Sequence, residues 1–153
     1  MTRDELKAKL APLSDDAILA LTIYGEARGE PIEGQIAVGC VIRNRLKDAK
    51  ARYGKTYREV ALKRLQFSCW NPDDADPNFR KVLEAAQVLL DKKPADAALE
   101  QCAYVALGIS RDALADNVKG CNHYFLATLT PRPSWSQGYV PLAQKGAHTF
   151  YRL

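Results

Sequence analysis

The fold is decided by residues 17–47, "AILALTIYGEARGEPIEGQIAVGCVIRNRLK". This apolar stretch contains three glutamates, and two of them, Glu26 and Glu30, each follow a glycine. Gly29 is expected to end a helix, and Pro31 suits the first turn of the next helix. The two glutamates are therefore predicted to flank a helix-to-helix junction.

The helix before this junction is predicted to begin at Ser14, whose side-chain oxygen makes a good N-cap. Leu19, Ile23 and Glu26 recur at helical spacing, so Glu26 lies on a mainly apolar stripe. An unpaired surface charge is not expected on such a stripe.

The segment after the junction, 31–47, is apolar on most sides in its middle and is predicted to be the central buried helix. Gly34, Ala37 and Gly39 permit close helix contact there. Three further helices are predicted: a short one after Thr56, with a capping box to Glu59 and an apolar side of Val60, Leu62 and Leu65; one from Asp76 to Lys93; and one over 97–110.

The C-terminal part changes towards aromatic and β-branched residues, which favour strands. Strands are predicted over 122–127 and 147–152, with an intervening strand over 139–144 that turns at Lys145 and Gly146. The fold class predicted is α+β, predominantly helical with a small C-terminal antiparallel β-sheet. Residues 1–153 are expected to form one catalytic domain, with 1–13 as a helical or flexible extension.

The composition is that of a globular chain, with 47% hydrophobic and 26% charged residues in 153. No apolar run approaches the roughly 20 residues that span a bilayer, and the charged N-terminus lacks the apolar core of a signal peptide. The net charge of +4 favours an anionic partner. Because the basic residues are scattered without interleaved aromatics, we expect a solvated basic surface and no nucleic-acid partner.

The cysteines and histidines give no ligand spacing for a metal. Four cysteines lie far apart and are expected to be reduced and mostly buried: Cys40, Cys69, Cys102 and Cys121. For His148, in "AHTFY", a structural hydrogen bond is the expected role, with substrate contact as the alternative. We expect no metal and no cofactor.

A carboxylic acid on a half-apolar helix face can be desolvated, which favours the protonated form that donates a proton. Glycosidic cleavage requires such a donor, because the leaving oxygen must be protonated as positive charge develops on the sugar. From spacing alone, a helical glutamate is usually a surface or salt-bridging residue, which here would pair with Arg28 or Arg43.

The segments "YGEARGEPIEGQIAVGCVIRNRL", "FSCWN", "HYF", "PSW" and "AHTFYR" together resemble the SleB-like cell wall hydrolases, the spore-cortex-lytic enzyme family. The resemblance runs from about residue 17 to 152. It implies a compact, lysozyme-like catalytic domain that cleaves peptidoglycan glycan strands, with Glu26 as general acid and base. It also implies lytic transglycosylation between N-acetylmuramic acid and N-acetylglucosamine, which leaves a 1,6-anhydromuramoyl end.

A hydrolytic mechanism would instead need a second carboxylate, about 5 to 5.5 Å away for retention or about 6.5 to 9.5 Å for inversion. Glu30, Asp73 and Asp74 are the candidates. Glu30 is also a candidate structural acceptor at the helix junction, which we favour slightly, and the two aspartates follow Pro72 as turn formers do.

Substrate contacts are predicted in the loop "QFSCWN", where aromatic rings can pack against sugars while polar neighbours bind hydroxyl and acetamido groups. The residues are Phe67, Ser68, Trp70 and Asn71. The alternative for Phe67 and Trp70 is that they anchor the loop in the core. The resemblance places Tyr124 and Trp135 in a sheet beside the cleft, and a binding role is preferred for Tyr124 over Trp135.

Two other functions compete with this interpretation. One is a cysteine peptidase or amidase with Cys69 as nucleophile and His123 or His148 as base. The other is a non-catalytic wall-binding module. We expect a monomer without membrane insertion, located in the cytoplasm until release to the wall, as a holin-dependent phage or prophage endolysin would be.

Overall fold

The computed structural model describes residues 1–72 and 76–153. Within them, six α-helices precede a three-stranded sheet, so the predicted α+β class is confirmed. The helices are α1 (Arg3–Leu10), α2 (Asp15–Ala27), α3 (Ile32–Leu46), α4 (Tyr57–Leu62), α5 (Pro77–Leu90) and α6 (Ala97–Ser110). The strands are β1 (His123–Leu126), β2 (Ala143–Lys145) and β3 (His148–Tyr151), and short 3₁₀ turns occur at Ser68–Trp70 and Ser134–Ser136.

The predicted junction between α2 and α3 is confirmed. The Ser14 hydroxyl accepts a hydrogen bond from the Ala17 N–H at 3.1 Å and caps α2. The helix ends at Ala27, and Pro31 is the N-cap of α3. Four residues therefore turn the chain between two buried helices.

The core is centred on α2, which packs against α3, α4, α5 and α6. Its buried residues lie on all sides of the helix and include the fully buried Ile18, Leu19, Leu21 and Ile23. The central position predicted for α3 is shared with α2. Gly39 brings α3 against α6, because a Cβ at this position would lie 2.7 Å from Cγ1 of Ile109.

The segment around α4 corrects two predictions. The Thr56 hydroxyl accepts a hydrogen bond from the Glu59 N–H at 3.1 Å, which is the first half of the predicted capping box. In the second half, the Glu59 carboxylate should accept the Thr56 N–H. It accepts the Lys55 N–H, so that half of the prediction is wrong. Leu65 lies beyond the helix with 71% of its surface exposed and a φ of 61°, so its predicted place on the apolar side of α4 is also wrong.

The sheet has the order β1-β3-β2, and both pairs are antiparallel. Tyr124 pairs with Phe150, so both side chains lie on the face towards the helices. The predicted strand over 139–144 is shorter and later, at Ala143–Lys145, and Tyr139 and Val140 before it are exposed.

The N-terminal segment is helical as α1, one of the two states expected for it. Leu6 and Leu10 are buried in the same hydrophobic cluster as α2 and α3. All four cysteines are buried and free, as expected. Among the described helices, none has the length and apolar character to cross a membrane.

Candidate active site

A cleft of about 810 Å³ opens where the end of α2 meets the 3₁₀ turn Ser68–Trp70 and strand β1. Six of the predicted site residues line it, and three others, Phe67, Trp70 and Trp135, do not. The lining residues are Gly25, Glu26, Ala27, Arg28, Gly29, Glu30, Arg45, Leu65, Gln66, Ser68, Asn71, Asp76, Asn78, Tyr124, Phe125, Leu126, Leu129 and His148.

Glu26 lies in the last turn of α2, half-buried in the cleft wall. Its Oε1 accepts a hydrogen bond from the Cys69 backbone N–H at 3.2 Å, and its Oε2 accepts one from the Tyr124 hydroxyl at 2.7 Å. One oxygen is thus held by the 3₁₀ turn and the other by the sheet. The carboxyl group is fixed by two separate elements while remaining on the cleft surface.

The Tyr124 side chain connects Glu26 to the sheet. Its ring lies edge-on to His148, with centroids 5.0 Å apart, and against Phe150. Burial, then the charge and the hydrogen bond of Glu26, hold the pKa of Tyr124 well above its ordinary value. The phenol therefore keeps its proton near neutral pH and acts as a hydrogen-bonding group.

Gly25 allows the 3₁₀ turn to reach Glu26. A Cβ at this position would lie 2.6 Å from Cγ2 of Val82 and 2.7 Å from both Cβ and Sγ of Cys69. A side chain larger than hydrogen would push the turn off α2, and the Cys69 N–H would move away from the carboxylate. The glycine before Glu26 in the sequence is thus part of the construction of the site.

Trp70 and Phe67 lie in the core, which corrects their predicted role as sugar contacts and agrees with the alternative considered for them. Trp70 is 1% exposed, and its indole N–H donates to the Thr22 hydroxyl at 2.9 Å. Phe67 is 2% exposed and packs under the Arg45 guanidinium, 4.9 Å from the ring centroid. Both rings fix the loop that carries Ser68 and Asn71 into the cleft.

Arg45 is a buried cation beneath the cleft, and sequence reasoning missed it. It donates to the Asn122 carbonyl at 2.7 Å and to Oε1 of Gln66 at 3.2 Å. Burial lowers its pKa, and the nearby groups Tyr124, Tyr53 and Glu26 act in the opposite direction. Arg45 follows Asn44 in the predicted helix 31–47. Nothing in that stretch of sequence shows that its side chain points into the interior.

Glu30 lies between the start of α3 and the β2–β3 turn. Its carboxylate accepts the Ala147 N–H at 3.2 Å and lies 3.3 Å from Nδ1 of the buried His148. The neighbouring Gly146 has a φ of 55°, and a Cβ there would lie 2.2 Å from Oε2 of Glu30. Glu30 is thus a structural acceptor in this geometry, and it ties the hairpin to the helix junction.

Asp76 is the third carboxylate among the described lining residues. Its Oδ1 accepts the Asn78 N–H at 2.8 Å as the N-cap of α5, and its Oδ2 accepts the Ser68 hydroxyl. Asp73 and Asp74, the other candidates for a second carboxylate, lie outside the described residues.

Trp135 lies on the outer face of the sheet, which corrects its predicted place beside the cleft. It packs against His123, Phe125 and Tyr151, with centroids 4.9 to 5.6 Å apart. Because side chains alternate along a strand, His123 and Phe125 point away from Tyr124. Alternation along the strands separates Trp135 from the cleft once its packing partners are known. The sequence alone does not show those partners.

Three exposed leucines supply the apolar part of the cleft and were not predicted: Leu65, Leu126 and Leu129. Leu65 is a branched residue in the left-handed region, with a φ of 61°, where such residues are rare. Strained and exposed apolar residues of this kind concentrate at functional sites. Only the clustering in space shows this, because each leucine alone is unremarkable in the sequence.

The salt-bridge alternative for Glu26 is wrong. Arg28 turns back to the end of its own helix and donates to Oδ1 of Asn78 at 2.6 Å, and Arg43 donates to the Leu114 carbonyl at 2.8 Å.

Cys69 is buried, and burial followed by the charge of Glu26 raises the pKa of its thiol well above the ordinary value, which does not suit a nucleophile. Among the described residues, no cluster of three metal-ligating side chains occurs.

Comparison with known proteins gives a family and short matches to longer relatives. A family model described as Cell Wall Hydrolase matches residues 29–151. The chain is similar to the spore cortex-lytic enzyme of Oceanobacillus iheyensis, 58% identical over 36 residues, and to that of Bacillus subtilis, 61% identical over 33 residues. The matched segments are 24% and 22% of this chain and only 13% and 11% of those relatives.

Two solved structures share the fold. The catalytic domain of the Bacillus cereus SleB protein matches with a TM-score of 0.59 at 22% identity, over 90% of this chain and 89% of that one. The catalytic domain of the germination-specific lytic transglycosylase SleB from Bacillus anthracis matches with a TM-score of 0.62 at 24% identity, over 90% and 93%. The predicted helical domain with its small C-terminal sheet is the architecture these domains have.

Proposed function

The chain belongs to the cell wall hydrolase family, and from this premise we propose that it cleaves peptidoglycan glycan strands as a lytic transglycosylase, with Glu26 as its general acid and base. The observation that supports this most is the pair of contacts on the Glu26 carboxyl group. The Cys69 N–H holds one oxygen and the Tyr124 hydroxyl holds the other, on the wall of the cleft.

The three described carboxyl groups of the cleft have different surroundings. Asp76 caps the N-terminus of α5, where the helix dipole stabilises an anion. Glu30 is bound to the hairpin through the Ala147 N–H. Glu26 lies at the C-terminal end of α2, where the helix dipole gives an anion no support. Of the three, Glu26 is the one held by a phenol hydroxyl and a loop N–H, and it is the group to which we assign the proton transfer.

The proposed reaction uses Glu26 twice. Its carboxylic acid protonates the oxygen that links N-acetylmuramic acid to N-acetylglucosamine, and the bond from that oxygen to the anomeric carbon breaks. The 6-hydroxyl of the muramic acid residue then attacks the anomeric carbon and gives its proton to the carboxylate. The acid is restored, no water is consumed, and a 1,6-anhydro ring remains on the product.

Tyr124 supports both protonation states of Glu26. The phenol hydroxyl donates to one lone pair of Oε2, and the other lone pair of that oxygen carries the exchanging proton towards the glycosidic oxygen. The Cys69 N–H can only donate, so Oε1 stays an acceptor and the exchanging proton is assigned to Oε2. The raised pKa of Tyr124 keeps the hydroxyl protonated throughout.

The walls of the cleft fit a glycan. Leu65, Leu126 and Leu129 offer apolar surface to sugar faces and acetamido methyl groups, and Ser68 and Asn71 offer hydrogen-bonding groups. This apolar surface takes the role that the sequence analysis gave to Trp70. Peptidoglycan is the proposed partner, and a monomer is sufficient, since every proposed contact comes from one chain.

The experiment that tests the proposal is a digest of purified peptidoglycan with the wild-type protein, with Glu26→Gln, and with Glu33→Gln as a matched control on the exposed start of α3. Products are separated by chromatography and identified by mass spectrometry. Anhydromuramoyl ends from the wild type and from Glu33→Gln are expected. Glu26→Gln should be slower by about 10³-fold or more, because acid and base are lost together.

Other product patterns would contradict the proposal in different ways. Reducing muramic acid ends would mean hydrolysis and would require a second carboxylate or a positioned water. Released stem peptides would mean peptide-bond or amide-bond cleavage. Full activity of Glu26→Gln would remove Glu26 from the mechanism.

A further inference from the structure

A second concave site lies between α1, α4 and the loop around Tyr53. Its volume is about 670 Å³. The residues that line it are Arg3, Lys7, Ala11, Ala51, Tyr53, Gly54, Arg58, Glu59, Leu62, Lys63 and Arg64. We call it the basic pocket. It shares no lining residue with the cleft, although Arg64 of the pocket and Leu65 of the cleft are adjacent in the chain.

The basic pocket concentrates the charge of the protein. Five of its lining residues are basic and Glu59 alone is acidic, which gives a formal charge of +4. The whole chain has 22 basic and 18 acidic residues and the same net charge, +4. Outside the pocket, basic and acidic residues are therefore equal in number. The expected solvated basic surface thus includes one site where five basic residues lie together.

Most of these cations have no anionic partner in the described part of the chain. Arg58 pairs with Asp15 at 3.3 Å, and it is the one lining cation that forms an ion pair there. Arg3 and Lys63 donate to backbone carbonyls, of Leu62 and Arg52, which leaves their charge uncompensated. The side chains of Lys7 and Arg64 are exposed and make no hydrogen bond to the described residues.

Like charges held together in a concave site raise the local concentration of anions. Guanidinium groups such as those of Arg3 and Arg64 match phosphate geometry with paired N–H donors. Four cations without an ion pair, against the single anion Glu59, suit a ligand that brings several charges at once. A polymer with a phosphate in every repeat supplies them, whereas an isolated carboxylate supplies one.

We propose that the basic pocket is a non-catalytic docking site for the phosphodiester polymers attached to cell walls, and that it holds the protein on its insoluble substrate beside the cleft. The inference rests on the proposed function for its choice of partner. One wall of the pocket comes from α1, which lies outside the family-matched residues 29–151. Three of the eleven lining residues, Arg3, Lys7 and Ala11, therefore lie outside the matched segment, and the other eight lie within it.

The test measures wall binding in a Glu26→Gln background, so that digestion does not disturb the equilibrium. The pocket variant carries Lys7→Gln and Arg64→Gln, which remove two charges without breaking a hydrogen bond to the described residues. The control variant carries Lys81→Gln and Arg111→Gln, which remove two exposed charges elsewhere. Each protein is sedimented with walls that keep their phosphodiester polymers and with walls from which acid has removed them.

The pocket variant is expected to bind native walls about 5- to 10-fold more weakly than the parent, and the control variant within about 2-fold of it. On stripped walls, all three proteins should bind alike. Equal losses in the two variants would mean that only net charge matters. An undiminished difference on stripped walls would assign the pocket to peptidoglycan carboxylates. Either result would overturn the proposal.

Activity on short, soluble, phosphate-free glycan fragments separates this inference from the proposed function. With Glu26 intact, the pocket variant should cleave them within about 2-fold of the wild-type rate, because docking plays no part. If the wild type cleaves no fragment, the proposed function fails, while the sedimentation result still decides the pocket. If the pocket variant loses cleavage of fragments, the pocket is not a separate docking site.

Discussion

Glu26 and Glu30 stand four residues apart in the same G-E pattern, yet their surroundings differ. Glu26 faces a phenol hydroxyl and a backbone N–H at the cleft surface. Glu30 faces the backbone of a tight turn and the edge of a buried histidine. The groups that a carboxylate faces, rather than its sequence motif, decide whether it can exchange protons or holds two elements together.

The largest effect on stability is expected at the turn that holds Glu30. Gly146→Ala adds a Cβ that would lie 2.2 Å from Oε2 of Glu30 at a φ of 55°, so the carboxylate must leave its site. The free energy of unfolding should fall by about 2–4 kcal/mol in urea denaturation. Gly138→Ala is the control, because its φ is 82° and nothing lies within 4 Å, and it should cost only about 1 kcal/mol. Equal losses would mean that Glu30 does not anchor the hairpin.

Tyr124→Phe changes the surroundings of Glu26. The ring still packs against His148 and Phe150, but Glu26 loses the hydroxyl that donates to its Oε2. We expect kcat on peptidoglycan to fall by about 10- to 100-fold while KM and the melting temperature change little. Unchanged kcat would show that Tyr124 only shapes the side of the cleft. A large rise in KM alone would make Tyr124 a binding residue.

A titration of His148 measures the surroundings of Glu30. Burial lowers the pKa of His148, and the charges of Glu30 and Glu26 oppose that effect. Glu30→Gln should therefore lower the pKa further, as followed by NMR of the ring protons. Between the lowered pKa of His148 in the folded chain and the ordinary pKa of 6.5, the unfolded chain binds a proton at this position that the folded chain does not. Stability should fall as the pH drops, and more steeply in Glu30→Gln.

His123 provides an internal reference for this titration. Burial, then the charges of Arg45 and Arg52, lower its pKa to about 4, and it lies on the opposite face of the sheet from Tyr124 and His148. Its titration should be the same in the wild type and in Glu30→Gln. A shift at both histidines would indicate a general change of the sheet, and no shift at His148 would contradict its pairing with Glu30.

The smallest effect is expected at Leu65. Asn tolerates the left-handed region but offers no apolar surface, so Leu65→Asn should raise KM for glycan about 3- to 5-fold without loss of stability. Lys92→Asn is the control, since Lys92 has a φ of 54° and lies outside the cleft. It should leave KM unchanged. Equal KM values for both variants would mean that the exposed leucine makes no substrate contact.

The elements that sequence predicted well are those with local signals. Ser14 capped its helix as expected, and helix 97–110 has the predicted bounds. A cap and an apolar period act within one turn or one helix, so a single segment contains the whole cause. The chain region around the two glutamates was predicted as a junction for the same reason.

The misplaced residues depend on partners distant in the chain. Trp70 is buried because Thr22, 48 residues earlier, accepts its indole N–H. Trp135 lies on the outer face because of packing with Phe125 and Tyr151. An amphipathic ring satisfies either environment, so composition cannot choose between core and cleft. Leu65 and Arg45 also depend on partners distant in the chain. Leucine is usually buried and arginine usually exposed, but here Leu65 is exposed and Arg45 is buried.

The most direct test of the central claim is digestion of peptidoglycan in ¹⁸O-labelled water, followed by mass spectrometry of the new muramic acid ends. If Glu26 acts alone as acid and base while the 6-hydroxyl attacks, the ends carry no ¹⁸O and are one water lighter than a reducing end. Ends that carry one ¹⁸O each would show that water attacks the anomeric carbon, and would contradict the account.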